Sequence, residues 1–159
     1  MVDSQAYLLR ISQAGPVGLV VINFEILLDY LEAAKKAASL GVEEMRPALG
    51  KAKDALAQLI QSLDFTISLS HDFYDIYSYA FGKLSSASSA ADIATAIDAT
   101  DEVAELMETL LKGWRETAKN EPPAPENENT PKVYTGLTYG RDGKADEYID
   151  EGKNRGYMA

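Results

Sequence analysis

Between residues 16 and 118, four stretches of apolar residues recur at helical spacing, and only a few residues separate each from the next. That pattern restricts the fold more than any other feature of the chain. Apolar positions at i, i+3, i+4 and i+7 mark helices with a buried face, and short connections force successive helices to run in opposite directions. The expectation is an all-α, antiparallel up-down four-helix bundle with helices of about 25, 25, 15 and 30 residues. No alternating strand pattern interrupts it.

The first stretch opens at Gly15-Pro16, with proline suited to the first helical position and glycine a weak N-cap. It closes near Gly41, where a left-handed residue belongs. Its polar stripe is only Glu25, Asp29, Glu32 and Lys36, so its apolar arc is wider than one core face needs. The second is expected to start between Glu43 and Pro47 and to run to about Ser68, with Met45, Leu49, Ala52, Leu56, Leu59, Leu63 and Ile67 near heptad spacing. Pro47 has to lie in or near the first turn.

The third stretch, HDFYDIYSYAFGKL, has Ser70 as its expected N-cap. It carries a core stripe of Phe73, Ile76, Tyr77, Ala80 and Leu84, flanked by Tyr74, Tyr79 and Phe81. Such breadth fits a central helix touching two neighbours, or a helix with one flank reserved for a partner. After a break at Ser85–Ser89, the fourth stretch carries Ile93, Ile97, Val103, Met107, Leu110 and Trp114. Acidic residues crowd its first half, and Lys112, Arg115 and Lys119 its end, which suits the helix dipole.

At 159 residues the chain holds one domain with a real core. Residues 1–118 are expected to form it. Residues 119–159 read as a Pro, Glu and Asn linker and a flexible tail containing Tyr134, Tyr139, Tyr148 and Tyr157, with a possible hairpin turn at Arg141–Lys144. Fifteen Lys and Arg against 25 Asp and Glu leave a net charge of −10, which repels nucleic acid and anionic membranes. No apolar run is long enough to span a bilayer, so no direct membrane insertion is expected. The absence of cysteine fits a cytoplasmic protein.

Catalytic chemistry has little support. The only histidine, His71, has no glutamate three residues before it, so the Glu-x-x-His pair of a bundle metal site is missing. Glu102, Glu105 and Glu108 drift around what reads as a solvated face, and no phosphate loop or activated nucleophile is present. The chain therefore reads as neither an enzyme nor a cofactor or metal carrier. Asn23 is the one polar residue on the apolar side of the first helix, either a buried amide bonded to a carbonyl or an anchor for a partner's backbone.

In order and spacing, these segments resemble the flagellar export chaperone FliS family over residues 6 to about 118. Ala6-Tyr7, Ile11 and Ala14-Gly15-Pro16 are similar to the family's opening, and Leu19-Val20-Val21-Ile22-Asn23-Phe24 to its continuation. Lys51-Ala52-Lys53 with Leu59 and Leu63 resembles the second helix. Tyr77-Ser78-Tyr79-Ala80 followed by Gly82-Lys83-Leu84 resembles the most specific motif, and Trp114 the end of the last helix. Gly15 stands where the family carries a Ser or Thr cap, Asn23 where it carries an apolar residue, and Gly82 where it carries a basic one.

The resemblance implies a bundle that binds the disordered C-terminal segment of flagellin, blocks premature polymerisation and is recognised by the flagellar export-gate membrane protein. The groove it implies draws on Ile22, Asn23, Phe24, Leu56, Leu63, Tyr74, Tyr77, Tyr79 and Phe81. Because bare apolar grooves are rare on soluble monomers, the N-terminal segment is expected to dock back when no partner is present, with Tyr7 and Ile11 covering part of the groove. The rival reading is an unrelated helical adaptor or scaffold.

Overall fold

A computed structural model describes residues 4–122. A short helix, α1 (Ser4–Gln13), precedes the bundle helices α2 (Pro16–Ala37), α3 (Val42–Gln61), α4 (Leu69–Ser88) and α5 (Ile93–Ala118). Each of α2 and α4 packs on both α3 and α5, which gives the square cross-section of an antiparallel up-down bundle, and α1 packs on α2. Most of the linker and the whole tail expected beyond residue 119, including the Arg141–Lys144 turn and the four tyrosines, lie outside the described residues.

The core follows the periodicity. Phe24, Leu27, Leu31, Met45, Leu49, Leu56, Leu59, Tyr77, Leu84, Val103 and Met107 are all less than 2% exposed. Each such side chain stabilises the fold by about 1.5–3 kcal/mol through burial. Buried alanines on every bundle helix, among them Ala34, Ala52, Ala80 and Ala96, let the backbones approach closely. Rings tie one end together. Phe24 of α2 meets Tyr77 of α4 diagonally at 6.1 Å between centroids, Tyr77 stacks on Phe73 at 5.8 Å, and Phe73 meets Trp114 of α5 at 5.6 Å. Burial pushes the Tyr77 hydroxyl up to about 12, with the Trp114 indole working against that rise.

Helix ends depart from expectation for identifiable reasons. α2 gives way to a 3-10 turn, Ala38–Leu40, and then to Gly41 at φ 126° and ψ 169°, a region that only glycine adopts without strain. α3 stops at Gln61 and not near Ser68, because Asp64 accepts from the Thr66 amide at 3.0 Å and its hydroxyl at 2.6 Å, a local turn that competes with the helix. Pro47 is the sixth residue of α3, so the bond it cannot make is to the carbonyl of exposed Glu43, near the helix start.

α4 begins at Leu69, which puts Ser70 inside the helix, buried, and leaves Ser68 as an N-cap without a side-chain bond. It continues through the expected Ser85–Ser89 break to Ser88. Ala87 is fully buried there, the Ser88 hydroxyl donates to the Leu84 carbonyl at 3.1 Å, and Arg46 of α3 caps the Ser88 carbonyl at 2.8 Å. The break falls instead before Asp92, whose carboxylate caps α5 by accepting from the Thr95 amide at 2.8 Å.

Candidate partner-binding surfaces

α1 lies over the side of α2 that faces α5, and polar contacts anchor it. The Tyr7 hydroxyl donates to Asp29 Oδ2 at 2.5 Å, and Arg10 Nη1 donates to Glu25 Oε1 at 2.5 Å. The second oxygen of Glu25 accepts from Arg115 of α5 at 3.1 Å, so one carboxylate joins three helices. Burial works to raise the Glu25 pKa, but the bonds from Arg10 and Arg115 outweigh it and hold the carboxyl below its ordinary value. Burial first, then the bond to Asp29, raises the Tyr7 hydroxyl pKa. Ile11 is half-buried, whereas Leu8 and Leu9 point outward, 64% and 62% exposed.

The α2–α5 surface beside α1 is concave. One cleft of about 450 Å³ is lined by Tyr7, Glu25, Leu28, Asp29, Glu108, Leu111, Lys112 and Arg115. A second, of about 560 Å³, shares Leu28, Asp29 and Glu108 and extends to Leu31, Glu32, Lys35, Asp101, Ala104 and Glu105. The Lys35–Asp101 ion pair, 2.8 Å long, joins α2 to α5 along it. Glu105 and Glu108 thus border a groove and are not simply part of a solvated outer face, while Glu102 turns to α4, taking Lys83 at 3.1 Å and the Tyr79 hydroxyl.

The first turn of α2 is capped by a residue more than 100 positions away in the chain. Gly15 makes no side-chain cap. Glu121, three residues beyond α5, takes its place, with Oε2 accepting from the Val17 amide at 2.7 Å and Oε1 from the Gly18 amide at 2.9 Å. A Cβ on Gly15 would sit 2.7 Å from the Glu121 carboxyl carbon, so the approach requires glycine there.

The structure separates the expected groove residues into groups. Ile22, Phe24, Leu56 and Tyr77 are buried and shape the surface from beneath. Asn23 is half-buried, and its amide forms no hydrogen bond with another described residue. Leu63, half-buried, sits in the α3–α4 connection and packs against the core. Tyr74, Tyr79 and Phe81 are exposed on α4, which lies diagonally across the bundle from α2. Tyr74 meets the edge of Phe65 at 5.8 Å, and Lys53 lies over Phe81 at 5.6 Å. Tyr7 therefore lies on the α2–α5 side, away from the α4 aromatics.

Phe65, Ile67 and Leu69, each about half exposed, add apolar surface where α3 gives way to α4, with Phe65 against Tyr74, and were hidden in the sequence by an apolar spacing that mimics a continuing helix. The roles of Glu25, Asp29, Arg115 and Glu121 were also missed. The one signal was the missing Ser or Thr cap before Pro16, which leaves first-turn amides needing an acceptor.

Among the described residues, no group of three His, Asp or Glu side chains is placed to hold a metal ion, and no helix is long and apolar enough to cross a membrane. The model of the family described as Flagellar protein FliS matches residues 4–121. No curated protein matches the chain.

Proposed function

The chain belongs to the flagellar protein FliS family, a family of non-enzymatic chaperones, and on that premise we propose that it is a cytoplasmic export chaperone for flagellin. It binds the disordered C-terminal segment of flagellin, which folds as it wraps around the bundle, and it delivers the complex to the export-gate membrane protein. The same flagellin segment takes part in polymerisation, so burying it blocks premature assembly without any chemistry.

The observation that supports this reading is how α1 is held. Its anchors are the hydrogen bonds of Tyr7 and Arg10 at the surface, and two of its leucines face water, so removing it exposes the α2–α5 groove without opening the core. A net hydrogen bond contributes only about 0.5–1.5 kcal/mol, well within what an incoming apolar segment supplies by burial. The exposed Tyr74 and Phe81 on α4 offer a second stretch of contact to a segment long enough to wrap.

Gel filtration of the protein mixed with flagellin, whole or lacking its C-terminal segment, tests the proposal. One-to-one co-migration with whole flagellin alone is expected. Co-migration with both forms, or with neither, contradicts it.

A further inference from the structure

We propose that Glu121 is a positioning residue that sets the resting place of α1, acting as a clasp on the joint between α1 and α2. The inference rests on the reading of α1 as a removable cover, but the clasp itself is tested without any partner.

The joint is only Ala14 and Gly15, and Gly15 is buried. Its backbone is extended, at φ −78° and ψ −178°, so nothing in its own conformation fixes the angle between the two helices. The turn that ends α5 presents Glu121, with the amides of Lys119, Asn120 and Glu121 bonded to the carbonyls of Arg115, Thr117 and Ala118. From there the two carboxylate oxygens reach the N–H groups of the second and third residues of α2, the positions a local cap side chain would serve. The carboxyl group fills the side of the joint that a Cβ on Gly15 would otherwise occupy, and a Cβ on Gly18 would come within 3.1 Å of the Ala14 methyl, so both glycines leave room for the close joint. A serine at the cap would serve the first turn of α2 locally but would not tie the joint to the end of α5.

The lever arm makes this matter. Tyr7 lies eight residues from Gly15, about 12 Å at helical rise, so a swing of about 20° at the joint carries it by about 4 Å. That is enough to break its bond to Asp29. Arg115 ties the same end of α5 to Glu25 of α2, whose other oxygen takes Arg10 of α1, so the end of α5 fixes α2 on both sides of the place where α1 docks. Ligand affinity then depends on Glu121 although it lies outside the groove.

Hydrogen exchange on the full chain, comparing wild type with Glu121→Ala and with Glu121→Ala/Gly15→Ser, tests the clasp. The single variant is expected to exchange at least tenfold faster over residues 4–13, with α3 unchanged. Adding Gly15→Ser, now free of its clash, is expected to restore the melting temperature by capping α2 locally while α1 stays fast.

Unchanged α1 exchange in Glu121→Ala, equal acceleration in α1 and α3, or recovery of α1 on adding Gly15→Ser would each overturn the proposal. Affinity for the flagellin C-terminal segment is expected to rise severalfold in Glu121→Ala. Faster α1 exchange without that rise would leave the clasp standing and count against α1 as the cover.

Discussion

Tyr7 of α1 donates its hydroxyl hydrogen to Asp29 of α2 across 2.5 Å, joining two side chains 22 residues apart in the sequence on the outside of the bundle. A bond at the surface contributes only about 0.5–1.5 kcal/mol, so α1, with Leu8 and Leu9 facing water, is fastened more lightly than the bundle helices.

Replacing Tyr7 with Phe keeps the ring and removes that bond. The change should weaken α1 docking by on the order of 1 kcal/mol and leave the core intact. Thermal melting should be unchanged, and affinity for the flagellin C-terminal segment should rise a few-fold. A fall in affinity would mean that Tyr7 contacts the partner directly.

Acid should release α1. The Glu25 carboxyl is held below its ordinary pKa in the folded state, so its contribution is complete above the unfolded value of about 4.3 and is lost as pH falls through the folded value. Exchange of α1 amides should accelerate in that window, and Glu25→Gln should abolish the dependence. An α1 that stays protected below it would remove Glu25 as the anchor.

Phe24 is fully buried against Tyr77, so Phe24→Ala should cost about 3–5 kcal/mol, a large share of a domain's usual 5–15. Denaturant unfolding measures this directly. A cost under about 1 kcal/mol would mean that the ring is dispensable to the core.

The double variant Tyr74→Ala/Phe81→Ala removes two exposed rings and should leave stability within about 1 kcal/mol, the Lys53 contact on Phe81 being the main loss. Affinity for the flagellin segment should fall by on the order of tenfold. Unchanged affinity would confine binding to the α2–α5 side.

The bundle was legible because Leu27, Leu49, Tyr77, Leu84, Val103 and Met107 repeat at helical spacing, and nothing else buries such a set so directly. Helix ends were not, because long-range contacts decide them. Arg46, 42 residues away, holds the Ser-rich end of α4 that local propensity reads as a break. Leu63 and Ile67 continue a heptad that the Asp64 turn has already ended.

For the site, sequence reading proposed Tyr7 and Ile11 as a cover, and it could not distinguish buried Phe24, Leu56 and Tyr77 from exposed Tyr74 and Phe81, since breadth of an apolar arc does not say which edge meets a neighbour. Glu121 was out of reach because its partners are backbone amides more than 100 residues away.

Titration calorimetry of the full chain with the isolated flagellin C-terminal segment, at several temperatures and at low and high salt, tests the central claim most directly. Burial coupled to folding predicts one-to-one binding, a large negative heat-capacity change and an affinity that salt barely alters. No binding, a heat-capacity change near zero, or a steep loss of affinity with salt would contradict it.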